Sequence, residues 1–507
     1  MTATTYRYLF ILPALLLMLG CRPAAPTVAP VATPPGEYWE AHFIGDDRVG
    51  YSHVTTKTLE DGQVQIGNLT EIALTRFGQK TSQTIEVHCI EDASGAPIRF
   101  QSVVKSGATV NTQSTGKWEG DRLHVTATTQ GQEAKLEIAW KPEYGGPFAD
   151  AQSLRRHPLK PGEKRSLMAF LPSLNQLAEI EMTAGDFETT KLLDEEANLL
   201  RVEAVVKART PAGLQKLAST YWVDKQGEVL KSYLPQLKQM TYRTTKAKAT
   251  APSTGSFDLA AATTVKLSRP LTNPHASKSI TYKATLPEGE IEGVFVEGPT
   301  QHVKLIDEHT CELTVRAIRP GDPAKLDSPD TKPTPDDLAP NTLIQSDDPR
   351  VVKLAKSVLP EEKDAWTLAQ ALEAHVHRAI ERKNFSQAFL TAAQVAEELQ
   401  GDCTEHAVLL AALYRARQIP ARCAMGLVYY PEGQGFAYHM WTEAWIDDRW
   451  VPLDATLGRG GIGAAHLKLA HSNLKGADAY SAFLPVVRVL GQLQLEVLDQ
   501  SSPKEAK

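Results

Sequence analysis

The sequence predicts an α+β protein in which antiparallel β-rich domains come first and a helix-then-strand unit comes last. Three observations carry that expectation. From Glu37 to about Lys248, short alternating runs rich in Val, Thr and Ile are separated by turn signals such as EDGQ, ASGAP and DKQGE, the period-two pattern of half-buried strands. After Asn341 the apolar residues recur at steps of three and four, the spacing of amphipathic helices. The runs ARCAMGLVYY, HMWTEAWIDDRW and WVPLDAT then return to β-type composition, and helices followed by strands give an α+β order. The 507 residues suffice for about three domains. With 42% hydrophobic and 22% charged residues and a formal net charge of −6, the composition is that of a soluble globular protein. No Lys/Arg cluster is long enough to track a phosphate backbone, which excludes nucleic acid as the main partner.

The N-terminus departs from this pattern. In MTATTYRYLFILPALLLMLGCRPAAP, one basic residue (Arg7) precedes an apolar run from Tyr8 to Leu19 that is too short to span a bilayer, so residues 1–20 read as a signal peptide. The run ends in LMLGC, which resembles the lipobox of bacterial lipoproteins, with Met18 where that pattern prefers Leu. The resemblance implies a lipid on Cys21. Residues 21–36 are Pro-rich and form an extended tether of up to ~3 Å per residue. The expected location is the bacterial cell envelope, outside the cytoplasm, with the membrane as a partner through the lipid anchor.

The β-rich stretch, residues 37–250, carries a weak internal echo. VHCIEDASGAPIRFQS at Val87–Ser102 and STYWVDKQGEVLKSYL at Ser219–Leu234 both read as strand, acidic Gly turn, strand, which suits either a duplicated sheet or two ordinary hairpins. A Thr/Ala/Ser-rich joint then leads to a small β module at 263–320. The prolines and charges of PGDPAKLDSPDTKPTPDDLAP exclude regular structure and mark a linker at 321–340, before a last domain at 341–507. The spacings of Cys21, Cys89, Cys311, Cys403 and Cys423 match neither a disulfide framework nor a CxxC zinc pattern.

In GDCTEHAVLL, Asp402 is placed as an N-cap and Glu405 completes a D-x-x-E pattern, so Cys403 occupies the first helical position. There the free N–H groups and the helix dipole favour an anion and lower a thiol pKa. A cysteine also serves as a small buried hydrophobe, so the helix start alone does not decide its role. A thiolate nucleophile needs a base, and the base needs an orienting acceptor. His439 opens one strand and Asp454 closes the next. If the turn between them is the two-residue Asp447-Asp448 loop, Trp441 pairs with Asp454 and His439 lies on the same face, one diagonal step away.

The segments GDCTEHAVLLAALYRARQIPAR, HMWTEAW and RWVPLDAT, in that order over roughly Asp347 to Ala470, resemble the core of the transglutaminase-like superfamily. The resemblance implies a papain-like α+β fold with a catalytic triad: Cys403 as nucleophile, His439 as general base and acid, and Asp454 orienting the imidazole. Ala455 stands where the family motif has Pro. Related enzymes complete an oxyanion hole with an upstream side chain, for which Trp366 is an available indole N–H beside the backbone N–H of Cys403. An aromatic residue at a helix start also reads as core.

The remaining candidates read more plainly. His406 is a packing residue on the cysteine helix, Glu443 and Trp445 shape the pocket or sheet, and Cys423 is a buried structural thiol. GRGGIG at 458–463 satisfies G-x-G-x-x-G, yet no βαβ unit precedes it, so it reads as a mobile loop beside the site. His466 and His471 flank the next predicted helix and lack a third ligand, so no metal is expected, and no cofactor either. The functional expectation is a membrane-anchored thiol enzyme acting on protein or peptide amide bonds through a thioester, with hydrolysis favoured over transfer to an amine. The alternative is a non-catalytic envelope binding or assembly protein that uses its β-rich region. Nothing in the sequence indicates an oligomeric state.

Overall fold

Fourteen strands between Gly36 and Thr244 pair into one antiparallel sheet. The structure, a computed structural model, describes residues 36–501 except 77–78, 108, 130, 212, 253–256, 259–261, 323–330, 383–389 and 478. The expected signal peptide, Cys21 and nearly all of the expected tether therefore lie outside the described residues. Strands β1 (Gly36–Ile44) to β8 (Gln132–Ala139) step outwards as a meander. On its other side β1 pairs with β14 (Gln239–Thr244), from which the order runs back to β9 (Lys164–Leu171). The two echoed segments share one turn. Asp92 Oδ1 accepts the N–H groups of Ser94 and Ala96 at 2.8 and 2.9 Å, and Asp224 Oδ1 accepts those of Gln226 and Glu228 at 2.9 Å each. Each turn ends on a left-handed glycine, Gly95 at φ +81° and Gly227 at φ +82°.

The sheet curls on itself. Phe100 and Trp118, from the first meander, pack against Phe170 on β9 with ring centroids 4.8 and 6.2 Å apart. After β8 the chain bonds to β9: Gly145 N–H donates to Met168 O at 2.8 Å and Phe170 N–H to Gly145 O at 2.9 Å. Leu484 and Val487 of a late helix pack in the core formed by Leu167, Ile180, Val202 and Val223, so the C-terminal half is keyed into this sheet.

The expected small module is not closed by its own strands. Strands β16 (Ser279–Thr285), β17 (Gln301–Leu305) and β18 (Thr310–Arg316) are completed by β23 (Gln494–Ser501), which pairs with β16. The boundary drawn at 320 is thus crossed by a sheet. The apolar run VVRVLGQLQLEVLD has a composition that suits a single strand, but it divides: Leu484–Val489 is helical, Gly491 turns the chain at φ +69°, and only the second half is β23. Leu484–Val489 is buried throughout and shows no period, whereas Gln494–Val497 alternates exposed and buried as a half-buried strand does. Of the linker, residues 323–330 lie outside the description. Beyond them Thr331 accepts the indole N–H of Trp450 at 2.7 Å, and Thr334 caps a short turn at Pro335–Asp337.

Among the described residues the α-helices are α1 (Ala149–Arg156), α2 (Lys246–Ala249), α3 (Pro349–Ser357), α4 (Ala365–Ala379), α5 (Ala392–Glu398), α6 (Cys403–Ala416) and α7 (Leu484–Val489). Strands β15 (Val265–Lys266), β20 (Gly435–Ile446), β19 (Ala421–Tyr430) and β22 (His466–Ser472) lie in that order in the last sheet, with β21 (Arg449–Leu453) on β20. Helix α6 is buried from Cys403 to Arg415 and forms the axis of this half. Among the described residues no helix is long and apolar enough to cross a membrane.

Candidate active site

Helix α6 begins at Cys403 because two acids cap it reciprocally. Asp402 accepts the N–H of Thr404 at 2.9 Å, and Glu405 Oε2 accepts the N–H of Asp402 at 2.9 Å. Gly401 makes room for this cap: its φ is +145°, and a Cβ there would lie 2.4 Å from the Glu405 side chain. Burial, and then the Asp402 charge, push the Glu405 carboxyl well above its ordinary range. Cys403 itself has no exposed surface. The helix is fixed on the histidine strand by Thr442, three residues beyond His439, whose hydroxyl donates to Ala407 O at 3.0 Å, one turn beyond Cys403.

The hairpin closes with the two-residue turn. Ile446 pairs with Arg449, and Asp447 and Asp448 both sit in the left-handed region at φ +51° and +58°, as a type I′ turn requires. Thr442 then pairs with Leu453, which sets Asp454 opposite Trp441 and one diagonal step from His439. His439 Nε2 lies 2.8 Å from Asp454 Oδ2. A carboxylate only accepts, so His439 carries its proton on Nε2 and Nδ1 is the ring atom left for proton exchange. Burial alone would raise the Asp454 carboxyl, but the charge and hydrogen bond of His439, with those of His466, hold it well below the carboxylate range. Its Oδ1 accepts the N–H of Thr456 at 2.9 Å, and its own N–H donates to Glu373 Oε1 at 3.1 Å.

Two residues join this centre that the sequence did not assign to it. His466, read from the sequence only as a weak metal ligand beside a helix, instead opens strand β22, and its Nε2 donates to the same Asp454 Oδ2 at 3.0 Å. Glu373, fully buried on α4, also accepts the N–H of Gly461 at 3.4 Å. No local pattern marks either residue, since both reach Asp454 only through the tertiary fold. His439, Asp454 and His466 bring three ligand-type atoms within 4.8 Å of one another. Both imidazole Nε2 atoms lie within hydrogen-bond distance of the one carboxylate oxygen, at 2.8 and 3.0 Å.

Other expectations resolve as follows. Trp366 is not aimed at this centre: its indole donates to Asp447 Oδ2 at 3.0 Å, at the far end of the hairpin, which removes it as an oxyanion donor. That partner is distant in sequence, so no local pattern reveals it. The glycine loop is anchored on several sides. Gln370 donates to Gly460 O at 2.8 Å, Arg319 donates to Ile462 O, and Ala464 N–H donates to Ser277 O at 3.0 Å. Ile462 packs on Trp441 and Ala424, closing that face of the sheet. His406 Nδ1 donates to Asp402 O at 2.6 Å within its own helix.

Glu443 shapes the sheet as a buried ion pair with Lys468 (2.6 and 2.7 Å) and Arg422 (2.7 Å). Burial opposes its charge, but those two cations hold its carboxyl down at about 2. His471, at the other end of β22 from His466, is lowered to about 2 by burial and the same cations. Burial pushes Cys423 up to about 12, which suits a structural thiol, and the four described cysteines are all unbridged.

Residues 352–455 match the family model described as the transglutaminase-like superfamily, so the C-terminal half contains a transglutaminase-like domain. No curated protein matches the chain. Among solved structures it is similar to a "Putative Cysteine Protease from Cytophaga hutchinsonii", at 17% identity over 46% of this chain and 88% of that one, with a TM-score of 0.29. It is also similar to a beta-barrel-like protein from Brucella abortus, at 12% identity over 41% of this chain and 94% of that one, with a TM-score of 0.32. A third is a "putative protease" from Parabacteroides distasonis, at 10% identity over 78% of this chain and 64% of that one, with a TM-score of 0.18. At these TM-scores the structural likenesses carry no argument; the family match and the site geometry do.

Proposed function

We propose that the C-terminal half is a cysteine enzyme that cleaves protein or peptide amide bonds through a thioester. The observation that carries this is the His439–Asp454 pair at 2.8 Å, on a strand fixed to the capped helix that begins with Cys403. In the first step the Cys403 sulfur bonds to the substrate carbonyl carbon, its proton passing to His439 Nδ1. The C–N bond breaks as that proton moves to the leaving amine. Water, or an amine, then attacks the thioester while His439 takes its proton, and returning that proton to sulfur frees the acid or the new amide. Cys403 and His439 have no exposed surface, so a substrate carbonyl reaches the sulfur only when covering segments open. The anchored enzyme would work outside the cytoplasm, held to a membrane by lipid on Cys21 and the Pro-rich tether.

The test is incubation of the full chain with a peptide library, read by mass spectrometry, which separates cleavage, deamidation and amine incorporation. A thiol-reactive glutamine-mimic probe is expected to label the wild type at Cys403, and Cys403→Ser and His439→Ala each to abolish that labelling in folded protein. Undiminished labelling in either variant refutes the reading.

A further inference from the structure

The carboxylate that orients His439 is shared. His466 stands on β22 and His439 on β20, with β19 between them, and Asp454 arrives from beyond β21. On the middle strand Gly426 pairs with His439. A Cβ there would lie 2.0 Å from Leu467 O and 3.0 Å from the Trp441 ring, so this position of the middle strand admits no side chain. Their ring centroids are 5.9 Å apart at 61°, and both Nε2 atoms point to Asp454 Oδ2, at 2.8 and 3.0 Å. His466 is packed edge-on against Trp441, with centroids 5.2 Å apart at 81°, which fixes its ring plane. The groups facing it are Asp454, His439, His275 and Arg319, from four separate segments. Burial lowers the His466 pKa against the raising pull of its bond to Asp454, which favours the neutral ring that donates through Nε2.

We propose that His466 is a positioning residue of the reaction. By donating to the same oxygen as His439, it locks the Asp454 carboxylate in place and limits how much of its charge acts on His439. Each N–H bonded to a carboxylate stabilises its charge, so an oxygen already bonded to a second N–H gives less to the first. The catalytic imidazolium is therefore less stabilised than a sole Asp454–His439 bond would make it, and His439 returns to its neutral, proton-accepting form more readily when the thioester must be hydrolysed. This inference rests on the enzymatic reading above.

The experiment needs no identified substrate. The rate of Cys403 carboxymethylation by iodoacetate is measured from pH 4 to 10 on the full chain, with the modified peptide identified by mass spectrometry. A thiolate beside an imidazolium gives a bell-shaped profile whose upper limb reports the loss of the His439 proton. His466→Leu removes the donor while keeping side-chain bulk. It is expected to move the upper limb up by about one pH unit, the tenfold effect of one hydrogen bond to a charged group. His466→Gln keeps an N–H donor and is expected to follow the wild-type profile. His466→Ala is the second donor-free variant and carries the same expectation as Leu.

A donor-free profile that superimposes on the wild type overturns the inference. So does an equal displacement in Gln and Leu, which would make ring bulk the cause. A wild-type profile that is not bell-shaped, or that survives His439→Ala unchanged, instead removes the enzymatic reading, so the two failures are distinguishable.

Discussion

Glu373 gives the pH dependence of stability a specific origin. The residue has no exposed surface, and its single working oxygen accepts the backbone N–H groups of Asp454 and Gly461, while Oε2 is buried without a hydrogen-bond partner. Burial is the largest influence and, helped by the nearby Asp454 charge, raises its carboxyl from 4.5 to about 7 against the pull of those N–H groups. The folded state therefore binds this proton more tightly than the unfolded chain. The stability it supports is complete below pH 4.5 and is lost as the pH climbs through 7. At ~1.4 kcal/mol per pH unit, the rise from 4.5 to about 7 corresponds to about 3 kcal/mol. Glu373→Gln mimics the protonated acid at every pH. Thermal midpoints of wild type and variant, measured from pH 4 to 9, are expected to hold a constant gap below pH 4.5. Above it the gap should move steadily in favour of the variant and level off beyond pH 7. A gap that stays constant across the whole range refutes the reasoning, because it would mean that Glu373 titrates alike in the folded and unfolded chain.

Two further perturbations test the frame of the site. Gly401→Ala places a Cβ 2.4 Å from Glu405 at φ +145°, and should cost about 1–3 kcal/mol in chemical denaturation while lowering the rate of Cys403 labelling. Trp366→Phe loses only the bond to Asp447 at the hairpin tip. It should cost about 1 kcal/mol of stability and leave the labelling rate within a factor of two; a larger loss of labelling would restore a role near the sulfur.

How much of this was legible in the sequence follows the range of the interactions. The cap of α6 and the hairpin turn are local: Asp402 and Glu405 are three residues apart, and Asp447-Asp448 alone sets the register that brings His439 to Asp454. The strand periodicity of the first half was likewise readable, down to the Asp-centred turns after Glu91 and Val223. What was not legible depends on strands that meet only in space. His466 reaches Asp454 because β22 lies beside β19, and β23 closes the middle sheet far along the chain from β16, the strand it joins, as in the pair Thr285 and Gln494. The GRGGIG loop seemed free because glycines show no partners of their own, yet Gln370, Glu373 and Arg319 hold its backbone.

Helix α4 explains how such a loop can position the Asp454 carboxylate. Leu453 is the last paired residue of β21, so Asp454 lies just past the ladder and its N–H has no strand to donate to. Glu373 supplies the acceptor. Trp366, Gln370, Glu373 and His377 follow one another at steps of four, three and four, the spacing of one helical face. They bond in turn to Asp447, Gly460, Asp454 with Gly461, and Ala455. One face of a single helix, ~16 Å from Trp366 to His377, therefore touches both the tip of the hairpin and the loop that follows its last strand. A purely apolar face would bury more favourably, since an acid held at about 7 opposes folding at neutral pH. Placing polar groups there trades stability for a fixed Asp454 backbone, and with His466 holding the carboxylate from the other side, both ends of the residue that orients His439 are set before any substrate arrives.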